Sequence, residues 1–122
     1  MALLMISPQD AQSLVTKGAI LVDVREPHEF GNEHIEGAIN MPLSSIAGKS
    51  VGQSGETIIF LCKSGARTKI AAKQLEQASK GKTMIMGGGL MAWRLQGLPT
   101  SVRKRESQGL LAALLTRFRS DH

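Results

Sequence analysis

The chain carries a single cysteine, and its neighbours decide whether that residue is chemistry or filler. Cys62 ends the apolar run Thr57 to Leu61 and is followed by Lys63, Ser64, Gly65, Ala66 and Arg67. Taken alone, a cysteine after an apolar run is a small buried hydrophobe. The five residues that follow are small or cationic, however, and such a loop can wrap backbone N–H groups around an anion. A helix beginning in the loop adds the positive end of its dipole, and Lys63 and Arg67 add formal charge. Gly65 lets the backbone turn with no Cβ in the way. These effects favour thiolate over thiol, so Cys62 is expected to ionise below the free-cysteine value of about 8.5. The expectation is an activated nucleophile, and oxidation sensitivity follows as a by-product of the same features.

That chemistry requires a strand before Cys62 and a helix after it. TIIFL, 57–61, is a continuous apolar and β-branched run, as is AILVDV at 19–24, and both suit strands buried on two faces of a parallel sheet. Open sheets of this kind place ligand crevices at the carboxyl ends of their strands, where Cys62 falls. From Ala66 to Lys80 the residues Ile70, Ala71, Leu75 and Ala78 recur at helical spacing, which predicts one helix stopped by Gly81. Upstream, Ser7 and Pro8 predict a capped helix ending at Gly18. Residues 25–37 form a polar connector with a short helical turn, AINMPLSSI holds a brief strand ended by Pro42, and 46–56 is a Gly- and Ser-rich loop. TMIM predicts a strand, GGG at 87–89 a turn, and LMAWRLQ a short helix closed by Gly97 and Pro99. This alternation defines an α/β fold with a mainly parallel central sheet flanked by helices.

At 122 residues the chain is one domain spanning 1–100, followed by a tail at 101–122. The tail is basic, with Arg103, Lys104, Arg105, Arg117 and Arg119, and amphipathic if helical, with Leu110, Leu111, Leu114, Leu115 and Phe118 on one face. Packing on the domain, self-association and membrane-surface contact all remain open for it. Much of the net charge of +5 belongs to this tail. With only three Phe and one Trp there is no stacking platform for bases, so no nucleic-acid partner is expected. No stretch is long and apolar enough to span a membrane, and no secretory signal is evident. One cysteine can form neither an internal disulfide nor a CxxC zinc site, which favours a reducing, cytoplasmic setting, peripheral to a membrane if the tail binds one. The spacing of His28 and His34 suits no metal motif, so both are expected to be structural and no metal or other cofactor is expected. Trp93 is expected in the core or crevice wall, and the six scattered methionines are expected as gap-fillers in the core rather than as a copper site. Asp23 and Arg25, where the first central strand meets its loop, are expected to support the site through a structural ion pair or hydrogen bonds to neighbouring loops, rather than by touching substrate.

CKSGAR, LVDVREPHEF, HIEGAINMP and GGGLMAWRLQGLP occur in this order over about residues 5–100. Together they resemble a single-domain rhodanese, and also the cytosolic domain of membrane-anchored rhodaneses. The resemblance implies the rhodanese-like three-layer fold and a C-x-x-G-x-R loop whose cysteine carries a persulfide. It implies a thiosulfate-type sulfurtransferase, in which Cys62 takes sulfane sulfur from a small anionic donor and passes it to cyanide, a thiol or a protein acceptor. In that reading Lys63, Ser64, Gly65, Ala66 and Arg67 bind substrate, with Arg67 either binding the anion or bracing the loop. Cysteine phosphatases, including those on the same fold, use C-x5-R, whereas four residues separate Cys62 from Arg67 here. The shorter ring is expected to fit one sulfur better than a tetrahedral phosphate. The chain departs from the family pattern at Glu33 and Glu36, which bears on turn geometry rather than on chemistry. The alternative is a non-catalytic or regulatory rhodanese module that carries sulfur or binds a protein.

Overall fold

The computed structural model describes residues 3–103. Strand β1 (Leu4–Ile6) leads into helix α1 (Pro8–Thr16), then β2 (Ile20–Asp23), α2 (Pro27–Asn32), β3 (Glu33–His34) and β4 (Ile39–Asn40). A 3-10 turn at Leu43–Ser45 and a loop follow. Then come β5 (Thr57–Leu61), α3 (Ala66–Ile70), α4 (Ala72–Ala78), β6 (Lys82–Met86), α5 (Gly89–Leu95) and β7 (Ser101–Val102). Five strands form one parallel sheet in the order β1-β6-β5-β2-β4, with β5 at its centre.

The central strand shows why a continuous apolar run was needed. Its side chains alternate between the two faces of the sheet. Ile58, Phe60 and Cys62 join Val22, Val24, Leu75 and Ile85 on one face. Ile59 and Leu61 join Ala11, Met84, Met86, Leu90 and Trp93 on the other. Helices cover both faces, so no position in β5 beyond Thr57 tolerates a polar side chain. Cys62 continues the alternation one step past the strand, which delivers its sulfur to the carboxyl edge.

α1 starts where its cap predicts, with the Ser7 hydroxyl accepting the Asp10 N–H at 3.1 Å and Pro8 at the first helical position. The helix expected over 66–80 is instead two segments, interrupted at Ala71 (φ −93°, ψ 12°). Leu75 and Ala78 are buried as expected, but Ile70 is 87 % exposed. The reason is tertiary: α3 is oriented by its attachment to the cysteine loop and to α2, and α4 is oriented by the sheet. No single straight helix serves both. α4 ends at Ala78 rather than near Gly81 because the adjacent backbone pairs with Val51, whose N–H donates to Ala78 O and whose carbonyl accepts from Lys80 N–H.

Three short strands escape the periodicity signal. β1 is a three-residue edge strand parallel to β6. β3 and β7 form a two-residue antiparallel ladder, Glu33 with Val102 and His34 with Ser101. Glu33 also accepts from Arg94 at 2.9 Å and from the Thr100 hydroxyl at 2.6 Å, and Glu36 accepts from the Ser101 hydroxyl. The two glutamates that depart from the family pattern thus tie down residues 100–102. The amphipathic part of the tail lies outside the described residues. No helix among the described residues is long and apolar enough to cross a membrane.

The break at Ala71 makes opposite demands on two neighbouring apolar residues. Ile70→Ala should change stability by no more than about 0.5 kcal/mol, whereas Leu75→Ala should cost about 2–5 kcal/mol. Urea denaturation of the two variants measures both, and a large loss for Ile70→Ala would restore the continuous buried helix.

Candidate active site

Cys62 is 0 % exposed, and its sulfur is ringed by backbone. Gly65, at φ +98°, reverses the chain so that its N–H points back at Sγ at 3.1 Å and its carbonyl opens α3. A Cβ at this position would meet the left-handed penalty and come 3.1 Å from the Gly88 nitrogen. Thr68, fully buried on α3, sets its hydroxyl 3.7 Å from Sγ and 3.1 Å from Gly65 O. Burial raises the Cys62 pKa. Opposing it are the Thr68 amide, the Thr68 hydroxyl and the amides of Gly65 and Arg67, and the net effect is a lowered value. The Thr68 hydroxyl has one proton to give. With a neutral thiol it can bond Gly65 O, and with a thiolate it can turn to the sulfur, since Gly65 O also accepts from Lys69 N–H at 3.2 Å.

Among the described residues the Gly65 amide comes to 3.1 Å from Sγ, the amides of Arg67 and Thr68 also favour the thiolate, and Thr68, one residue beyond the motif, supplies the side-chain partner. Thr68 is of a type common at any helix surface, and only its burial over the sulfur distinguishes it. Lys63, Ser64 and Ala66 lie exposed at the mouth of the loop.

Arg67 is committed elsewhere. Its two terminal nitrogens grip both carboxylate oxygens of Glu29 on α2, at 2.7 and 2.9 Å. The Arg67 guanidinium pulls the Glu29 pKa from its ordinary 4.5 to about 2 against the opposing effect of burial, with help from the Glu26 amide and the charge of Arg25. Glu29 in turn holds Arg67 more firmly protonated than usual. The sequence left Arg67 between binding and bracing, and nothing in the spacing marked Glu29 as its partner across 38 residues.

Asp23 and Arg25 pair with each other at 2.8 Å, both buried at the end of β2. Arg25 also donates to the carbonyls of Glu33 and Glu29, at 2.6 and 3.4 Å. The pair thus anchors α2, and α2 carries the glutamate that holds Arg67. Asn40, unmarked in the sequence, donates to the carbonyls of Asp23 and Arg25 at 3.0 and 2.9 Å. His34 stacks on Phe30 with ring centroids 4.2 Å apart and places Nδ1 2.9 Å from Phe30 O, while His28 is exposed. Trp93 is buried and donates to Pro99 O at 2.8 Å.

A buried sulfur at the carboxyl edge of a central parallel strand, faced by amides of a six-residue loop, defines a cysteine-loop α/β domain. Residues 7–96 match the family described as Rhodanese-like domain, and the chain belongs to that family. It is 42 % identical over 97 residues to an uncharacterized Synechocystis protein, covering 78 % of this chain and 54 % of that protein, so it spans about half of that relative. It is 29 % identical to the thiosulfate sulfurtransferase GlpE of Stutzerimonas stutzeri, covering 84 % of this chain and 94 % of the relative. Among solved structures it is similar to a rhodanese-related protein of Thermoplasma volcanium, with a TM-score of 0.71, 26 % identity and coverage of 82 % and 99 %.

Two variants test the electrostatics. Because the Glu29 pKa is lower in the folded chain, its pairing stabilises the fold fully above about pH 4.5 and loses that contribution as pH falls through about 2. Glu29→Gln should therefore be less stable than the wild type at neutral pH, and the gap should close between about pH 4.5 and 2. Denaturant melts across this range measure it, and a gap independent of pH would remove the ion pair as its cause. Thr68→Val keeps the shape and deletes the hydroxyl. It should move the Cys62 titration to higher pH and slow thiol alkylation at neutral pH, by a factor of about 3–10.

Proposed function

We propose that this protein is a sulfurtransferase that works through a persulfide on Cys62, taking sulfane sulfur from a small anionic donor such as thiosulfate. The Cys62 thiolate attacks the outer sulfur, the donor's S–S bond breaks, and sulfite leaves with the bonding electron pair. The product is a Cys62 persulfide anion. A nucleophilic acceptor, cyanide or a thiol on another molecule, then attacks the terminal sulfur and Cys62 leaves as the thiolate. Atoms and charge balance with no oxidant, reductant or cofactor. The loop amides face negative charge before, during and after transfer, so no separate general base is required.

The observation that carries this reading is the Gly65 amide 3.1 Å from a sulfur whose pKa lies below its ordinary value despite burial. The family membership and the name of the Stutzerimonas relative support sulfur chemistry and thiosulfate as donor. Lys63, exposed at the mouth, would draw in an anion. Arg67, held by Glu29, would brace the loop rather than meet the donor directly. Because Cys62 is 0 % exposed, attack requires the loop to open over the sulfur. That burial is also the one observation favouring a regulatory module without turnover, in which the loop would stay closed.

Incubation with thiosulfate followed by intact-mass measurement separates the two. The expected result is a gain of about one sulfur atom, removed by cyanide and absent in Cys62→Ser. A folded protein that takes no sulfur from thiosulfate or any other sulfane donor would leave the regulatory module standing.

A further inference from the structure

The loop's amides can face the sulfur only if its carbonyls face away, and two of these carbonyls are held by α5. Leu90 N–H donates to Cys62 O and Met91 N–H to Lys63 O, each at 2.9 Å. A trans peptide is planar, so fixing the carbonyl of one residue fixes the N–H direction of the next. The Cys62–Lys63 and Lys63–Ser64 peptides are thereby set. Only the Ser64–Gly65 peptide remains before the left-handed turn, and its N–H is the one that reaches Sγ.

This docking is a backbone-to-backbone approach that a side chain would block. Gly89 has φ +58°, and a Cβ there would overlap Cys62 O and stand 2.7 Å from the carbonyl carbon and oxygen of Lys63. These are rigid main-chain atoms of the cysteine loop, with no flexible side chain to yield. Gly97, just past the other end of the same helix, has φ +75° but nothing within 4 Å of its would-be Cβ. The two glycines share a backbone conformation and differ in what they touch.

We propose that Gly89 is a positioning residue for Cys62: it lets the first turn of α5 seat on the carbonyls of Cys62 and Lys63 and so fixes the two peptides that aim the next one, Ser64–Gly65, with its N–H on the sulfur. The proposal rests on Cys62 being the reacting group, yet its test needs no sulfur transfer. Thiolate absorbance against pH, iodoacetamide labelling and thermal melting are measured on the full chain for the wild type, Gly89→Ala and Gly97→Ala. Both variants carry the left-handed penalty and should melt lower. Only Gly89→Ala should also move the thiol midpoint up, by about one pH unit, and slow labelling of the folded protein at neutral pH about tenfold. A folded Gly89→Ala with the wild-type midpoint overturns the proposal, as does Gly97→Ala shifting the midpoint equally.

If Gly89→Ala does not fold, a semisynthetic chain with an ester oxygen in place of the Met91 backbone N–H decides, because it deletes one of the two docking donors and adds no bulk against Lys63 O. An upward shift of the midpoint supports the proposal, and an unchanged midpoint overturns it. A protein that takes up no sulfur from thiosulfate or any other sulfane donor while Gly89→Ala still shifts the thiol would refute the sulfurtransferase reading and leave the positioning role intact.

Discussion

Ionising a sulfur withdrawn from water is costly unless donors surround it, and the loop around Cys62 meets that demand with backbone. The amides of Gly65, Arg67 and Thr68 do so because the chain leaves β5, reverses at Gly65 and enters α3 within a few residues. A charged side chain could have met the same demand, but it would titrate and move. Peptide N–H groups do neither. The loop can be this short because β5 sits at the centre of the sheet, packed on both faces, and holds the entry to the loop still.

The charged residues around the loop serve this arrangement at one remove. Asp23 and Arg25 close the end of β2, Arg25 holds the carbonyls of α2 and its C-terminal neighbour, and Glu29 on α2 grips Arg67 on α3. This chain of contacts ties neighbouring strand ends together across the carboxyl edge. It also pairs the Arg67 charge with a carboxylate close to the sulfur, so the groups that favour the thiolate are mainly backbone amides and the Thr68 hydroxyl. On the opposite side, the first turn of α5 holds the loop's carbonyls. The cysteine loop is thus clamped between α2 and α5, two elements distant from it in sequence.

Where the sequence pattern was strong, the elements could be placed closely. β5 is the run TIIFL, and α1 has the start that Ser7 and Pro8 mark. The failures share a cause. The strands β1, β3 and β7 are two or three residues long, too short for any period to register, and exist because partners across the fold accept their hydrogen bonds. The break at Ala71 lies in a segment of good helical spacing, and it arises where one end must follow the loop and the other the sheet. Thr68 and Glu29 escaped notice as site residues because their types are ordinary and their roles depend on what folds against them.

The sequence by itself determined the kind of chemistry available: one thiol, a strand before it, a helix after it, and four residues between Cys62 and Arg67. These are local facts, because a run of a few residues already dictates which backbone groups can reach the sulfur. Only the tertiary structure decided that Arg67 belongs to Glu29 and that α5 holds the loop from behind. Those pairings join residues brought together by sheet order and helix packing, and no spacing along the chain encodes a contact made across it.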